Sequence, residues 1–337
     1  MTATNVPPML HLLRRLLLTE HPAQASDWHA QIRALKSRSL KSWLLVTLFQ
    51  GLAKMPHGGR QLLGRLIGAI APWVAPRRAH IVRCNLALCF PEKSTEERRI
   101  LLRQHFRALA QSFVDRGPLW FGTIEQIKSL VTLSGLEKAR RYTDHQRPLM
   151  LLAPHFVSLD AAATRLTLEG PQGATMYTPQ KDPDVDALVR LGRGRFHQVH
   201  LLSRTDGVRG LIRLMRKGLP TYYLPDMDFG ARGAVFVPFF GVPTATQTAT
   251  AQIARQFDLA VLPILSSWDP ETGRYHVTIG DELTALVKAD TDVTVATAQL
   301  NELLEGWIRE HPSQYYWVHR RFKTRPNGEP SPYEKNK

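Results

Sequence analysis

The stretch Leu151-Leu-Ala-Pro-His155-Phe-Val-Ser-Leu-Asp160 places an imidazole and a carboxylate directly after a short apolar run. The apolar run, Leu149 to Ala153, predicts a buried strand, and the residues from Leu159 to Leu168 have the periodicity of a helix. A strand that leads through a loop into a helix is the unit from which parallel sheets are built. We therefore interpret this stretch as the centre of an α/β fold.

The same alternation of short apolar runs and amphipathic stretches continues from Pro148 towards the C-terminus. The other predicted strands are Ala174 to Thr178, Gln198 to Leu202, Thr221 to Leu224, Val235 to Pro238, Ala260 to Ser266 and Tyr275 to Ile279. The other predicted helices are Asp184 to Phe196, Val208 to Arg216, Thr248 to Phe257 and Val293 to His311. This pattern predicts a mostly parallel sheet flanked by helices, with functional side chains beyond the carboxyl ends of its strands.

Helical patterns fill the chain from Ser42 to about Phe121, and two of these segments are strongly apolar. Trp43 to Ala53 is too short to span a bilayer with certainty, and Arg60 to Ala75 carries cations between its apolar positions. Both segments favour helices that lie on a membrane surface. A helical hairpin packed on the protein's own core explains the same pattern. A basic helix is predicted through Arg77 to Leu88, and a long helix is predicted to begin at Ser94, with Glu97 completing a capping box.

These patterns divide the chain into three regions. Residues 1–38 form a leader of unknown role with a Leu- and Arg-rich patch from Leu10 to Leu18. Residues 39–121 form a helical, membrane-associating region, and residues 122–337 form the α/β catalytic domain. The N-terminus lacks the cleavage site of a secretory signal, so we expect the protein to stay on the cytoplasmic side.

The charge balance points to a polyanionic partner. Among 337 residues, Lys and Arg number 44 against 29 for Asp and Glu, which gives a net charge of +15. Nucleic acid, anionic lipid and an acidic carrier protein all fit this charge. The only cysteines, Cys84 and Cys89, are too few for a disulfide framework and favour idle thiols in a reducing cytoplasm.

His155 and Asp160 are candidate catalytic residues because a loop residue and a residue in the first turn of the next helix can converge. An imidazole with an ordinary pKa of about 6.5 accepts a proton at neutral pH. A neighbouring carboxylate fixes the tautomer of the imidazole and stabilises the imidazolium ion. The pair therefore favours proton abstraction. The plainer alternative is a buried histidine that bonds the backbone and an aspartate that caps the helix.

Two further acids follow a predicted strand in Tyr222-Tyr-Leu-Pro-Asp226-Met-Asp228-Phe-Gly230. A calcium loop requires more oxygen ligands than this run supplies, so we predict no metal site and no cofactor. Asp226 and Asp228 instead favour a polar lip on a lipid-lined cleft. The alternative is that both acids only accept hydrogen bonds from backbone groups at turns.

Near the C-terminus, aromatic and cationic residues alternate from Gln314 to Arg325. Such runs are typical of nucleic-acid binders and of membrane interfaces, where rings lie at headgroup level beside cations. No recognised nucleic-acid-binding motif is visible in the sequence, and the apolar N-terminal helices favour the membrane. We therefore predict contact with a membrane surface and none with nucleic acid.

The chain resembles the lipid A late acyltransferases, the lauroyl and myristoyl transferases of the Gram-negative inner membrane, from about Trp43 to Tyr333. The motifs that carry the resemblance are Asn85-Leu-Ala-Leu-Cys-Phe-Pro-Glu92, His155-Phe-Val-Ser-Leu-Asp160, Gly192-Arg193-Gly-Arg195, Pro225-Asp-Met-Asp-Phe-Gly230, Val235-Phe-Val-Pro-Phe-Phe240 and Trp317-Val-His-Arg-Arg-Phe-Lys-Thr-Arg-Pro326. The resemblance implies a glycerol-phosphate-acyltransferase-like fold, a catalytic pair of His155 and Asp160, and a donor that is an acyl carrier protein thioester or acyl-CoA.

Two positions depart from the pattern of that family. The family often has glutamate where Asp160 stands, and it often has arginine where this chain has Thr178. The second change removes a cation expected near the substrate. We expect Lys181, Arg193 or Arg195 to replace it. The alternative is an acceptor that differs from standard lipid A.

Taken together, these features predict an O-acyltransferase at the cytoplasmic face of the inner membrane. His155, held by Asp160, would take the proton from a hydroxyl of a phosphorylated glycolipid, which then attacks an acyl thioester. Ser158 is interpreted as a bystander because it lacks the glycine framing of a hydrolase nucleophile. A lysophospholipid or ornithine-type lipid is the alternative acceptor. The predicted substrate-binding residues are Lys181, Arg193, Arg195, Asp226, Asp228 and Arg320.

Overall fold

A computed structural model describes residues 25–196, 199–204, 208–288 and 292–334. The helices are α1 Ala25–Lys36, α2 Leu40–Lys54, α3 His57–Val74, α4 Pro76–Cys89, α5 Thr95–Val114, α6 Arg116–Phe121, α7 Ile124–Leu130, α8 Leu136–Thr143, α9 Leu159–Glu169, α10 Pro183–Arg193, α11 Arg209–Arg216, α12 Ala249–Gln256, α13 Thr284–Lys288 and α14 Val293–Glu310. The strands are β1 Val131–Ser134, β2 Leu149–Leu152, β3 Gly173–Tyr177, β4 Val199–Ser203, β5 Thr221–Tyr223, β6 Ala234–Phe239, β7 Val242–Gln247, β8 Ala260–Trp268 and β9 Tyr275–Ile279.

Seven strands form one sheet in the order β1-β9-β8-β2-β5-β3-β4. Every neighbouring pair in this sheet is parallel except β8 and β9, which are antiparallel. Strand β2 is buried at all four positions, as expected for a central strand covered on both faces. The predicted mostly parallel sheet flanked by helices is confirmed.

The predicted strands and helices of this domain are found with ends shifted by a few residues. Gln198, the first residue of one predicted strand, lies outside the described residues. The sequence reasoning missed β1 and β7. Strand β6 was predicted, but it pairs with β7 in a separate antiparallel hairpin. The turn of this hairpin places Phe240 and Gly241 at positive φ, 52° and 73°, as a two-residue hairpin loop requires.

Part of the predicted leader belongs to the folded core. Trp28, Ile32 and Leu35 of α1 are buried in the same apolar cluster as β2. The Trp28 indole N–H also donates to the carbonyl oxygen of Leu191 at 2.8 Å. Residues 1–24, which include the patch from Leu10 to Leu18, lie outside the described residues.

The two apolar N-terminal segments are the helices α2 and α3. Helix α3 packs against α5 through Gly64 and Gly68, where an added Cβ would collide with the facing helix. The opposite faces of α2 and α3 expose large apolar side chains. Among the residues with a described structure, no helix is both long enough and apolar enough to cross a membrane.

The aromatic and cationic run near the C-terminus is largely buried. Tyr315, Trp317 and Phe322 are core residues, and even the Arg321 side chain is only 1% exposed. The Arg321 guanidinium donates to the carbonyl oxygen of Ala245 and stacks on an aromatic ring of the same cluster. The prediction that these rings lie at a membrane surface is therefore wrong. They form the second apolar core of the protein.

Candidate active site

Two neighbouring strands bring the polar residues of the site together. Strands β2 and β5 are adjacent and parallel, with Leu152 paired to Tyr223. The Ala153 N–H extends this pairing beyond β2 by donating to the Tyr223 carbonyl oxygen at 2.8 Å. His155 follows the last residue of β2 by three positions, and Asp226 follows the last residue of β5 by three positions. The two side chains therefore meet at the carboxyl edge of the sheet.

His155 makes two contacts with the Asp226 carboxylate. Its Nδ1 lies 2.6 Å from Oδ1, and its backbone N–H donates to Oδ2 at 2.9 Å. Burial alone would raise the pKa of Asp226, but the charge of His155 and these hydrogen bonds outweigh burial and lower it. An ionised carboxylate only accepts hydrogen bonds, so Nδ1 carries the imidazole proton.

This tautomer leaves the Nε2 lone pair of His155 available. Within the described parts of the chain, no residue hydrogen-bonds to Nε2. The His155 side chain is 20% exposed, whereas the Asp226 side chain is 1% exposed. The arrangement is a solvent-facing imidazole held from behind by a buried acid, which suits proton transfer to or from a bound hydroxyl.

The Asp160 carboxylate lies between two guanidinium groups. Arg116 Nε is 2.8 Å from Oδ2, and Arg193 Nε is 2.8 Å from Oδ1. Burial alone would raise the pKa of Asp160, but the charges of Arg193 and Arg116 outweigh it and lower the pKa to about 2. The predicted contact between Asp160 and His155 is therefore wrong. Asp226 occupies the place beside the imidazole.

Two of the predicted substrate-binding arginines have partners within the protein. Arg193 holds Asp160, and Arg195 donates to the carbonyl oxygen of Gly122 at 2.5 Å. Burial lowers the pKa of Arg195 to about 10, and its guanidinium lies 5.4 Å from the ring centroid of Trp28. Arg193 keeps 25% of its side chain exposed. Both side chains are half-buried, and a substrate role for either arginine remains a prediction.

The other predicted cations lie on the surface. Lys181 is exposed and forms no ion pair with any residue that the structure describes. Arg320 is also exposed, with its guanidinium 5.9 Å from the ring centroid of Tyr333. A substrate role for either residue remains a prediction.

The match to a known family covers most of the chain. A family model described as bacterial lipid A biosynthesis acyltransferase matches residues 28–324. The lipid A biosynthesis lauroyltransferase of Escherichia coli (strain K12) is 33% identical over 300 residues, which cover 89% of this chain and 96% of that protein. The palmitoleoyltransferase of the same strain is 32% identical with the same coverage. The myristoyltransferase is 31% identical over 87% of this chain and 90% of its own length.

The chain belongs to the bacterial lipid A biosynthesis acyltransferase family. It is therefore an acyltransferase, and the acid–base pair at the sheet edge is its candidate active site.

Asp228 of the acyltransferase holds the loop after β5 in place. Its Oδ1 accepts hydrogen bonds from the Gly230 N–H and from the Thr324 hydroxyl, and its Oδ2 accepts one from the Thr324 N–H. The side chain is 1% exposed. The predicted role in substrate binding does not fit these contacts, because the carboxylate is buried and used by the protein itself.

Ser158 is also engaged within the acyltransferase. Its hydroxyl donates to the carbonyl oxygen of Ser266 at 2.9 Å and lies 2.7 Å from the hydroxyl of the same residue. A fully buried hydroxyl with these partners is not placed to attack a substrate. The interpretation of Ser158 as a bystander agrees with this geometry.

Two residues of the site were missed by sequence reasoning. Arg116 lies 44 positions before Asp160. No local sequence pattern indicates that its positive charge compensates the Asp160 carboxylate. Tyr316 donates its backbone N–H to the His155 carbonyl oxygen at 2.8 Å, and its ring centroid is 6.4 Å from the imidazole. Asp226, in contrast, had a signal, because it follows its strand by the same number of residues as His155.

Proposed function

We propose that this acyltransferase moves a fatty acyl chain from an acyl thioester to a hydroxyl of a lipid A precursor. His155 acts as the general base and Asp226 orients it. The 2.6 Å contact between His155 Nδ1 and Asp226 Oδ1 carries this proposal, because it leaves the Nε2 lone pair free on a side chain that is 20% exposed. The names of the relatives support a lipid A precursor as the acceptor.

The proposed reaction is a direct transfer. His155 Nε2 takes the proton of the acceptor hydroxyl, whose oxygen attacks the thioester carbonyl and gives a tetrahedral oxyanion. The carbon–sulfur bond then breaks, and the proton on Nε2 passes to the leaving thiolate. Asp226 stabilises the transient imidazolium by its negative charge. No acyl-enzyme is needed, in keeping with the buried and hydrogen-bonded hydroxyl of Ser158.

The acceptor phosphates have candidate partners in the arginine cluster. Arg116 and Arg193 carry two positive charges against the single negative charge of Asp160, and their side chains are 31% and 25% exposed. The cluster therefore keeps an uncompensated positive charge that attracts phosphate. Lys181 and Arg320 extend the proposed phosphate contacts across the surface.

The net charge of +15 also supports an acidic acyl carrier protein as the donor, with acyl-CoA as the alternative. Both present the acyl group as a thioester, so the chemistry at His155 is the same for either donor. A comparison of the two donors with the purified protein separates them.

The exposed apolar faces of α2 and α3 are the proposed membrane contact. They carry ten exposed large apolar side chains: Leu40, Trp43, Leu44, Leu48, Leu62, Leu66, Ile67, Ile70, Trp73 and Val74. Trp73 is 84% exposed, and Arg77 and Arg78 follow it at the surface. Rings and aliphatic chains flanked by cations favour the headgroup region of an anionic bilayer. We place the enzyme at the cytoplasmic face of the inner membrane, where this surface meets its lipid acceptor.

The acceptor is tested by mass spectrometry of lipids in two settings. The purified protein, given an acyl carrier thioester and a hydroxyacylated lipid A precursor, adds one acyl chain, and a deletion strain accumulates a lipid A that lacks one chain. His155→Ala should lower the rate of this addition by about a hundredfold or more. A deletion strain with normal lipid A and altered lysophospholipid or ornithine-type lipid would contradict the proposed acceptor.

The membrane surface is tested by flotation with vesicles that contain anionic phospholipid. Leu66→Asp combined with Ile70→Asp places two charges on the proposed contact, and we expect most of the protein to leave the vesicle fraction. Val295→Asp is the control, because Val295 is also an exposed apolar residue but lies on α14. Unchanged flotation of the double variant would contradict this surface.

A further inference from the structure

The loop that carries Asp226 is tied to a second histidine. The backbone N–H of Asp228 donates to His319 Nε2 at 3.1 Å. This N–H belongs to the peptide bond between Met227 and Asp228, so a shift of this bond moves Asp226 with it. The contact joins residues 91 positions apart, and no sequence pattern predicts it.

His319 must be neutral to make this contact. A nitrogen that accepts a hydrogen bond from a backbone N–H carries no proton of its own. The pKa of His319 is lowered to about 4, mainly by burial and to a smaller extent by the charge of His155. The side chain therefore remains a hydrogen-bond acceptor throughout the physiological pH range.

The backbone around His319 is fixed by a buried amide. The Asn85 side chain donates to the carbonyl oxygens of Trp317 and His319 at 2.7 and 2.8 Å, and its own oxygen accepts from the Tyr333 hydroxyl. Asn85 is 1% exposed. One side chain of α4 thus holds the segment from which His319 reaches the loop after β5.

The same segment also holds the loop that carries His155. Tyr316 donates its N–H to the His155 carbonyl oxygen, and Gln314 accepts from the Val157 N–H at 2.9 Å. Residues 314–324, which we call the C-terminal bracket, therefore contact the loops on both sides of the acid–base pair. The geometry of the pair depends on this bracket as well as on the sheet.

We propose that His319 is a positioning residue for the reaction: its neutral imidazole fixes the Asp228 peptide and thereby the angle at which Asp226 meets His155. The inference rests on the proposed roles of His155 and Asp226. An error of about 1 Å in the placement of a catalytic group costs roughly a hundredfold in rate, so a distant hydrogen bond of this kind has a measurable effect.

Three variants at this position test whether the hydrogen-bond acceptor of His319 matters, or only its volume. His319→Ala removes the acceptor, and His319→Gln places an oxygen close to the position of Nε2. His319→Asn also has an oxygen, but its side chain is too short to reach the Asp228 N–H. We expect His319→Ala and His319→Asn to lower kcat by about 10- to 100-fold with KM changed less than about twofold. His319→Gln recovers most of the rate. His311→Ala, at an exposed position before the bracket, is the control and keeps full activity.

A double-variant cycle distinguishes positioning from a general loss of structure. In the Asp226→Asn background, His319→Ala should lower kcat by less than about twofold further, because the group that it positions is already lost. If His319→Ala lowers kcat by the same factor in the Asp226→Asn background as in the wild type, the proposal is overturned. Equal activity of His319→Gln and His319→Ala would also overturn it. If His319→Ala does not fold, the comparison of His319→Gln and His319→Asn still decides the matter.

The failure of this inference is distinguishable from that of the proposed function. If His155→Ala and Asp226→Asn abolish turnover while every His319 variant is fully active, only the positioning role is lost. If His155→Ala retains turnover, the proposed acid–base chemistry itself is wrong.

Discussion

Two of the buried aspartates at the candidate active site, Asp226 and Asp160, differ in the side chains that they contact. Asp226 lies against one imidazole, whereas Asp160 lies between two guanidinium groups. Both have a lowered pKa and are ionised at neutral pH. The comparison shows that burial and ionisation alone do not identify a carboxylate that takes part in catalysis. The side chain that the carboxylate contacts, an imidazole or a guanidinium, determines whether its charge can assist proton transfer.

The charge balance explains this difference. The charge of Asp160 is more than compensated by Arg116 and Arg193, so little of it remains to stabilise a proton elsewhere. The charge of Asp226 is compensated only when the imidazole of His155 gains a proton. Asp226 therefore favours the protonated form that proton abstraction creates, and Asp160 stabilises the fold and the arginine pair.

The largest expected effect comes from Asp226→Asn. The amide keeps the shape of the side chain but removes the charge that stabilises the imidazolium, so kcat should fall by about 100- to 10,000-fold. Steady-state kinetics with an acyl thioester donor measure this loss, and thermal unfolding checks that the variant is folded. A loss of less than tenfold in a folded variant would remove the distinction between the two aspartates.

Asp160→Asn should act mainly on stability. A pKa lowered from 3.8 to about 2 corresponds to about 2 kcal/mol of stability at neutral pH. Because the folded-state pKa is the lower one, this contribution is present above pH 4 and is lost as the pH falls towards 2. The difference in the free energy of unfolding between wild type and variant should therefore shrink over this range. A difference that does not depend on pH would show that the carboxylate charge is not what stabilises the cluster.

The smallest effect on kcat is expected for Ser158→Ala. This variant removes a hydrogen bond to Ser266 and should cost about 1 kcal/mol of stability, with kcat changed less than about threefold. Denaturant unfolding and the same kinetic assay measure both quantities. A loss of kcat comparable to that of Asp226→Asn would reopen the question of a serine nucleophile.

Much of the fold could be predicted from the sequence. Buried strands such as β2 and β8 are continuous apolar runs between turn residues, and the helices have clear periodicity. Strands β1 and β7 were missed because β1 is only four residues long and half exposed, and β7 contains proline and threonine. Short strands of this kind are defined by their neighbours in the sheet.

The site was predictable only in part. His155 and Asp226 each follow a strand by three residues, but the sequence does not show that β2 and β5 are neighbours. The resemblance to the acyltransferase family favoured Asp160, which lies closer along the chain. Arg116 and His319 depend on contacts between distant segments, and no local pattern indicates them.

The proton position on His155 tests the central claim most directly. Nitrogen NMR of the imidazole, with histidine labelled in the folded protein, distinguishes a proton on Nδ1 from one on Nε2. We predict a proton on Nδ1 in the wild type and in Asp160→Asn, and loss of this preference in Asp226→Asn. Loss of the preference in Asp160→Asn, together with its retention in Asp226→Asn, would contradict the account.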